Sequence, residues 1–303
     1  MDERDFVEKA LKQSIEVTNK CLASGKWDSE QLLQKLLDID ALQEVNAYRK
    51  SEENQKNCEP FEQMNQKYIR LHSQYKNSFH DLYREVEQKA SRREYAKGGA
   101  SLHRGFYSPS LLDVVVRGCS RGRLLKKPPK SGNDIYEYLF DEKDQLICVY
   151  FYAYYDGQQK PDVTELFVQK TENILSLGFE RLGCDDSALS FFSESHYEDG
   201  KQIQYQFADC RLLGAEKTEV LGANCGELQV EAYDYANRVL QSLHWYRYMP
   251  SVHLLEQERY TFIRDAKGYL SAFSIERFSP GKGLVPVPGT YKVQVRYEGP
   301  MPE

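Results

Sequence analysis

Three stretches of this chain share one spacing of turn-forming and apolar residues: Asp141-x-x-Asp144-x-Leu146, Asp234-x-x-Asn237-x-Val239 and Asp265-x-x-Gly268-x-Leu270. The residue three places after the leading Asp is Asp, Asn or Gly, the types that best tolerate the positive φ of a tight hairpin loop. The leading Asp can accept hydrogen bonds from the turn's own backbone. The Leu or Val two places further on begins a return strand. Looser copies stand at Lys170-x-x-Asn173-x-Leu175 and in EDGK around Gly200. The anchors recur roughly every 30 residues, about one two-stranded hairpin with its connection. Such a series constrains residues 132–303 to a meandering antiparallel sheet that grows hairpin by hairpin.

The residues flanking the turns agree. In YEYLFDEKDQLICVYFY, residues 136–152, aromatic side chains alternate with period two on both sides of the acidic turn. Each such ring can bury on the order of 150–250 Å², the apolar area a thin sheet needs. This stretch, with YDYANRVL and FIRDAKGYL, resembles the YD-repeat hairpins of RHS-type proteins over the C-terminal half to three-fifths of the chain. The resemblance implies a ladder of hairpins. The copies here are irregularly spaced, and several lack the leading Asp and paired glycine of that pattern, so a large closed shell is not part of the expectation. YKVQVRYE, Tyr291 to Glu298, would close a sheet of roughly ten strands after the loop SPGKGLVPVPG.

Residues 1–95 read differently, as a helical segment. Phe6, Val7, Ala10, Leu11, Ile15 and Leu22 fall on one helical face, and Gly25 offers a stop. Asp28 or Ser29 can cap a second helix with the stripe Leu32, Leu33, Leu36, Leu37 and Leu42. A third helix starts near Pro60, where a missing N–H costs nothing. Phe61, Tyr68, Tyr75 and Leu82 repeat every seven residues, with Met64, Leu71, Phe79 and Val86 between them. That Phe61–Val86 seam wants a partner: the first two helices, or a second copy of the chain in a homodimer.

Between the two regions, residues 96–131 read as a basic, glycine-containing connection. From Lys89 to Lys130 eleven Lys and Arg face only Glu94 and Asp113, although the whole chain carries a net charge of -6. The remainder is therefore strongly acidic. Such a segment can meet a phosphate or an acidic partner, or dock on the chain's own acids. Extended nucleic-acid binding is disfavoured, because the acidic body repels a long polyanion, even though Tyr95, Phe106 and Tyr107 interleave with the arginines. Seven dispersed cysteines without a C-x-x-C pair fit a reducing cytoplasm better than a disulfide framework, and neither they nor the six histidines cluster as metal ligands. The longest apolar runs are too short to cross a bilayer, and the start MDERDF is acidic where a secretion signal is basic and then apolar. The expectation is a soluble cytoplasmic α+β protein without membrane, metal or cofactor.

Catalytic signatures are absent: no G-x-S-x-G, no complete phosphate-binding loop and no H-E-x-x-H occurs. His196 beside Glu194 and Glu198 reads as a solvated hairpin edge. The densest set of recognition residues is HWYRYMPSVH, with Trp245, Tyr246, Arg247 and Tyr248, side-chain types that dominate protein interfaces. Strand alternation would instead send every second one into the core. Arg121 and Arg123 of the basic segment complete the expected binding set. These observations point to a macromolecule-binding protein, an inhibitor or immunity-type partner of a toxin or enzyme, rather than an enzyme. The alternative is an enzyme or small-ligand domain with a pocket on the sheet face.

Overall fold

A computed structural model describes residues 3–23, 35–36, 39, 42–99, 110–129, 134–155, 158–169, 173–182, 186–196, 201–206, 226–237 and 239–293. Its centre is one antiparallel sheet: β1 (Arg92–Gly99), β2 (Arg121–Leu125), β3 (Ile135–Phe140), β4 (Leu146–Tyr155), β5 (Gln158–Gln169), β6 (Asn173–Leu182), β7 (Asp186–His196), β8 (Lys201–Gln206), β9 (Glu227–Ala236), β10 (Val239–Met249), β11 (Leu254–Arg264), β12 (Leu270–Ser279), β13 (Gly283–Pro286) and β14 (Tyr291–Lys292). From β3 to β13 each strand pairs with the next in sequence. The meander is thus as expected, with more strands. The chain is an α+β protein.

The shared spacing works as the chemistry requires. Asp144, Asn237 and Gly268 all have positive φ, at 63°, 52° and 84°. The Asp141 carboxylate accepts from the backbone N–H of Lys143 and Gln145, both at 2.9 Å. Asp265 does the same for Lys267 and Tyr269, at 2.8 and 3.0 Å. Of the looser copies, Asn173 opens β6, and Gly200 lies outside the described residues. Of the expected last strand, Tyr291 and Lys292 form β14 beside β12, and residues from 294 onward lie outside the described set.

Parts of the segment expected as a connection, residues 96–99 and 121–125, belong to the sheet. β1 sits between β3 and β2, Ala96 is fully buried, and β2 forms the outer edge. Its strand character is masked in the sequence by charged residues on the alternate positions. Their charges dock on the chain's own acids, as one reading of the basic segment allowed: Arg92 pairs with Asp144 and Glu94, and Arg93 pairs with Glu87 and Glu137.

Among the described residues four helices precede the sheet: α1 (Glu3–Ala23), α2 (Gln43–Arg49), α3 (Glu52–Tyr75) and α4 (Phe79–Lys89). α1 forms, but Leu11 and Ile15 of its expected stripe are 60% and 52% exposed. The expected second helix from Asp28 lies largely outside the described residues. α3 begins well before Pro60, because Ser51 caps it by accepting from the Asn54 N–H at 3.1 Å. Pro60 therefore sits inside a helix. The seam from Phe61 to Val86 spans two helices that break at Lys76–Ser78, and it packs on the chain's own sheet. Phe61, Tyr68 and Val86 join Leu139, Tyr150, Leu166, Leu177, Phe192, Val230, Tyr248 and Leu255 in the main core.

The opposite face holds two smaller clusters. Ala96, Tyr138, Phe140, Val149 and Phe167 form one. In the other, the π-helical turn Leu112–Val116 packs on Leu240, Leu243, Tyr260 and Phe262. The short stretch from Val116 to Arg121 reaches at most ~18 Å even when extended. On a flat sheet, eight strand spacings of ~4.8 Å would put β2 ~38 Å from β9. The sheet must therefore curl until its ends approach one another.

Candidate functional site

The sheet opens between β11 and β12. β11 and β12 stay paired up to Glu258 and Arg277; beyond that pair their ladder ends, while β12 runs on paired with β13 along its other edge. α2 covers the gap, with the Tyr48 ring 5.4 Å from Phe278. The result is a cleft of about 510 Å³ lined by Val45, Tyr48, Trp245, Leu254, Leu255, Phe278 and Pro280, with Glu44, Glu256, Gln257, Glu258 and Arg277 completing its walls. A short helix and three strands, distant in sequence, build it together.

Most polar groups around it are held in place. Trp245 Nε1 donates to Gln229 Oε1 at 3.2 Å. Arg277 Nε donates to Glu258 Oε1 at 2.8 Å, and Tyr260 donates its hydroxyl to the same carboxylate. Arg247 forms ion pairs with Glu227 at 2.7 Å and Glu256 at 3.3 Å. Burial pushes the Tyr48 hydroxyl above its ordinary pKa, so it stays neutral. Its described lining is an aromatic recess beside oriented charges.

The structure separates the six expected binding residues. Alternation along β10 sends Tyr246 and Tyr248 to the helix side, their rings 5.4 and 6.3 Å from Phe61. Trp245 and Arg247 stand on the other face, and Trp245 alone of the six lines the cleft. Arg123 is exposed on the edge strand β2, with eight strands between it and β10 in sheet order. Arg121 opens β2 opposite Gly99, and its side chain lies outside the described residues. Sequence reading missed the contribution of α2 and of Phe278 and Pro280. Their meeting depends on the split between β11 and β12, which leaves no local mark.

Buried carboxylates elsewhere tie the layers together. Glu194, expected at a solvated edge, is 1% exposed and accepts from Tyr68 Oη at 2.7 Å and Lys67 Nζ at 2.5 Å. The side chain of its neighbour His196 lies outside the described residues. Glu137 accepts from Arg93 at 2.7 Å, Tyr95 at 3.1 Å and Tyr152 at 2.5 Å. Glu231 accepts from Ser110, from the Leu112 N–H at 3.2 Å and from Tyr233 at 2.9 Å, pinning the π-helical turn to β9. Among the described residues no cluster of three His, Cys, Asp or Glu could hold a metal ion, and no helix is long and apolar enough to cross a membrane.

Comparison with known proteins adds little beyond this geometry. No family model matches the chain, and no curated protein matches it. A solved structure from Bacteroides fragilis, a protein with unknown function, is similar at 9% identity and a TM-score of 0.23 over 52% of this chain and 91% of its own.

Proposed function

We propose that this protein is a cytoplasmic binding protein that engages another protein, as an inhibitor or immunity-type partner of a toxin or enzyme. The observation that carries this reading is the cleft between α2 and the β11–β12 split, where Tyr48, Trp245 and Phe278 meet beside charges already fixed in ion pairs. Aromatic recesses of this kind accept the anchor residues that dominate interface energetics. Walls oriented in advance lower the ordering cost of binding. The net charge of -6 and Glu44 at the cleft favour a partner with a basic surface. Buried Cys58 and Cys148 suit a reducing compartment; burial, with Glu62 nearby, pushes the Cys58 thiol up to about 11, which leaves it inert.

Affinity capture of the tagged chain from its own cells, followed by calorimetry with the purified partner, tests the reading. A stoichiometric protein should be recovered. Glu44→Lys, a change at an exposed position, should weaken its binding at least tenfold, and Trp245→Ala should weaken it further. Recovery of no stoichiometric partner, or unchanged affinity in both variants, defeats it.

A further inference from the structure

A second recess lies on the sheet face opposite the helices, away from the cleft. It measures about 190 Å³ and is lined by Tyr136, Val149, Phe151, Val163, Glu165 and Phe191, from β3, β4, β5 and β7. Its build is unusual for a sheet surface. Gly178 stands in the middle of β6 directly opposite Phe191, and a Cβ there would come within 2.1 Å of the Phe191 ring. The missing side chain lets that ring lie down over the strand and wall the recess, which is a recognised use of glycine inside a strand. Across from it, Tyr136 and Phe151 hold their rings 4.9 Å apart.

Among the described residues that line the recess the ionisable groups are the Tyr136 phenol and Glu165, which is 9% exposed. Among the described residues its single hydrogen-bond donor is Ser176, whose Oγ lies 2.6 Å from Oε1. Burial holds its pKa up at about 7, with the Ser176 bond acting against the shift, and among the described residues it forms no ion pair. On the described strands nearest the recess this face also carries Tyr138 of β3, Glu180 of β6, and Glu94 and Arg92 of β1; the Arg92 guanidinium lies over Phe140 and is paired with Glu94 and Asp144. A carboxylate with no counter-charge among its described neighbours, walled by three aromatic rings, is complementary to a small organic cation. The ammonium satisfies the carboxylate, and the ring faces attract positive charge while covering the attached hydrocarbon. A cavity of ~150 Å³ accommodates benzene, so this one has room for a short alkyl chain.

We propose that the recess between Phe191, Phe151 and Glu165 is a binding site for a primary alkylammonium group. The group can belong to a free amine or to a lysine side chain; the chemistry of capture is the same. This site is separate from the partner-binding cleft, and neither reading depends on the other.

Calorimetric or NMR titration of the full chain with n-butylamine, n-butanol and Nα-acetyl-lysine methylamide tests it. At pH 8 n-butylammonium should bind at least tenfold more tightly than n-butanol, and Glu165→Gln should abolish that preference. Affinity for the cation should rise from pH 5 to pH 8 as Glu165 ionises, a readout that needs no variant. Tighter binding by n-butylamine than by the lysine derivative assigns the site to free amines, and the reverse assigns it to protein side chains; either result supports the proposal. Equal binding of n-butanol, a preference that survives Glu165→Gln, or no saturable binding of either amine overturns it.

Discussion

The buried carboxylates divide into two regions. Where the helices and the π-helical turn join the sheet, Glu137, Glu194 and Glu231 are each surrounded by two or three donors. In the recess on the far face, Glu165 has one serine. The first arrangement is what burial of charge demands, since an ionised carboxylate inside a protein is tolerated only when paired and hydrogen-bonded. Those networks are fasteners. The second leaves a charge partly unmet at the wall of an open recess, and an unmet buried charge is where a ligand gains most by arriving.

That contrast can be broken in several ways. The largest effect is expected from Glu137→Ala, which leaves Arg93 with Glu87 alone and strands the hydroxyls of Tyr95 and Tyr152; it should cost about 3–5 kcal/mol in urea unfolding at pH 7. A loss below about 1 kcal/mol would mean the network is ornamental.

Glu165→Gln should go the other way. The folded chain keeps the Glu165 proton to about pH 7, while the unfolded chain releases it near 4.5. The native state therefore binds more protons between those values, so stability declines as pH rises across that window and levels off above it. Removing the charge should stabilise the chain at pH 8, by roughly 3 kcal/mol at most, and do nothing near pH 4. Denaturant midpoints for both proteins across that range measure it, and a variant less stable than the parent at pH 8 would place Glu165 among the fasteners. The smallest effect belongs to Ser176→Ala, which removes the one donor and should cost about 1 kcal/mol at pH 8 and less at pH 5. It should also lift the Glu165 titration midpoint, which carboxyl NMR shifts would follow.

The cleft and the recess were legible in the sequence to different degrees. Trp245 stood out by type, and it does line the cleft. The rest of its set was misread, because alternation commits Tyr246 and Tyr248 to the helix side, and Arg123 sits on an edge strand far along the sheet. Tyr48 and Phe278 carry no local sign that they will meet across the opening beyond the Glu258–Arg277 pair. Glu165 was invisible for a related reason. In LFVQ and its neighbours nothing distinguishes a glutamate that faces solvent from one enclosed by Phe151, Phe191 and Tyr136. Gly178 was the one available hint, a glycine within an otherwise regular strand.

What the sequence alone determined was the local grammar of the sheet. The turn at Asp144, Asn237 or Gly268 needs a residue that accepts positive φ, and that demand is met within a few residues, so short-range chemistry suffices to place each hairpin. Period-two alternation then sets which side chains share a face. The tertiary structure decided everything that depends on how the hairpins curl: that the Phe61–Val86 seam would be covered by the sheet, that β1 and β2 would join its edge, and which glutamates would be fastened and which left open. Those outcomes follow from long-range packing, where burial depends on residues a hundred or more positions away.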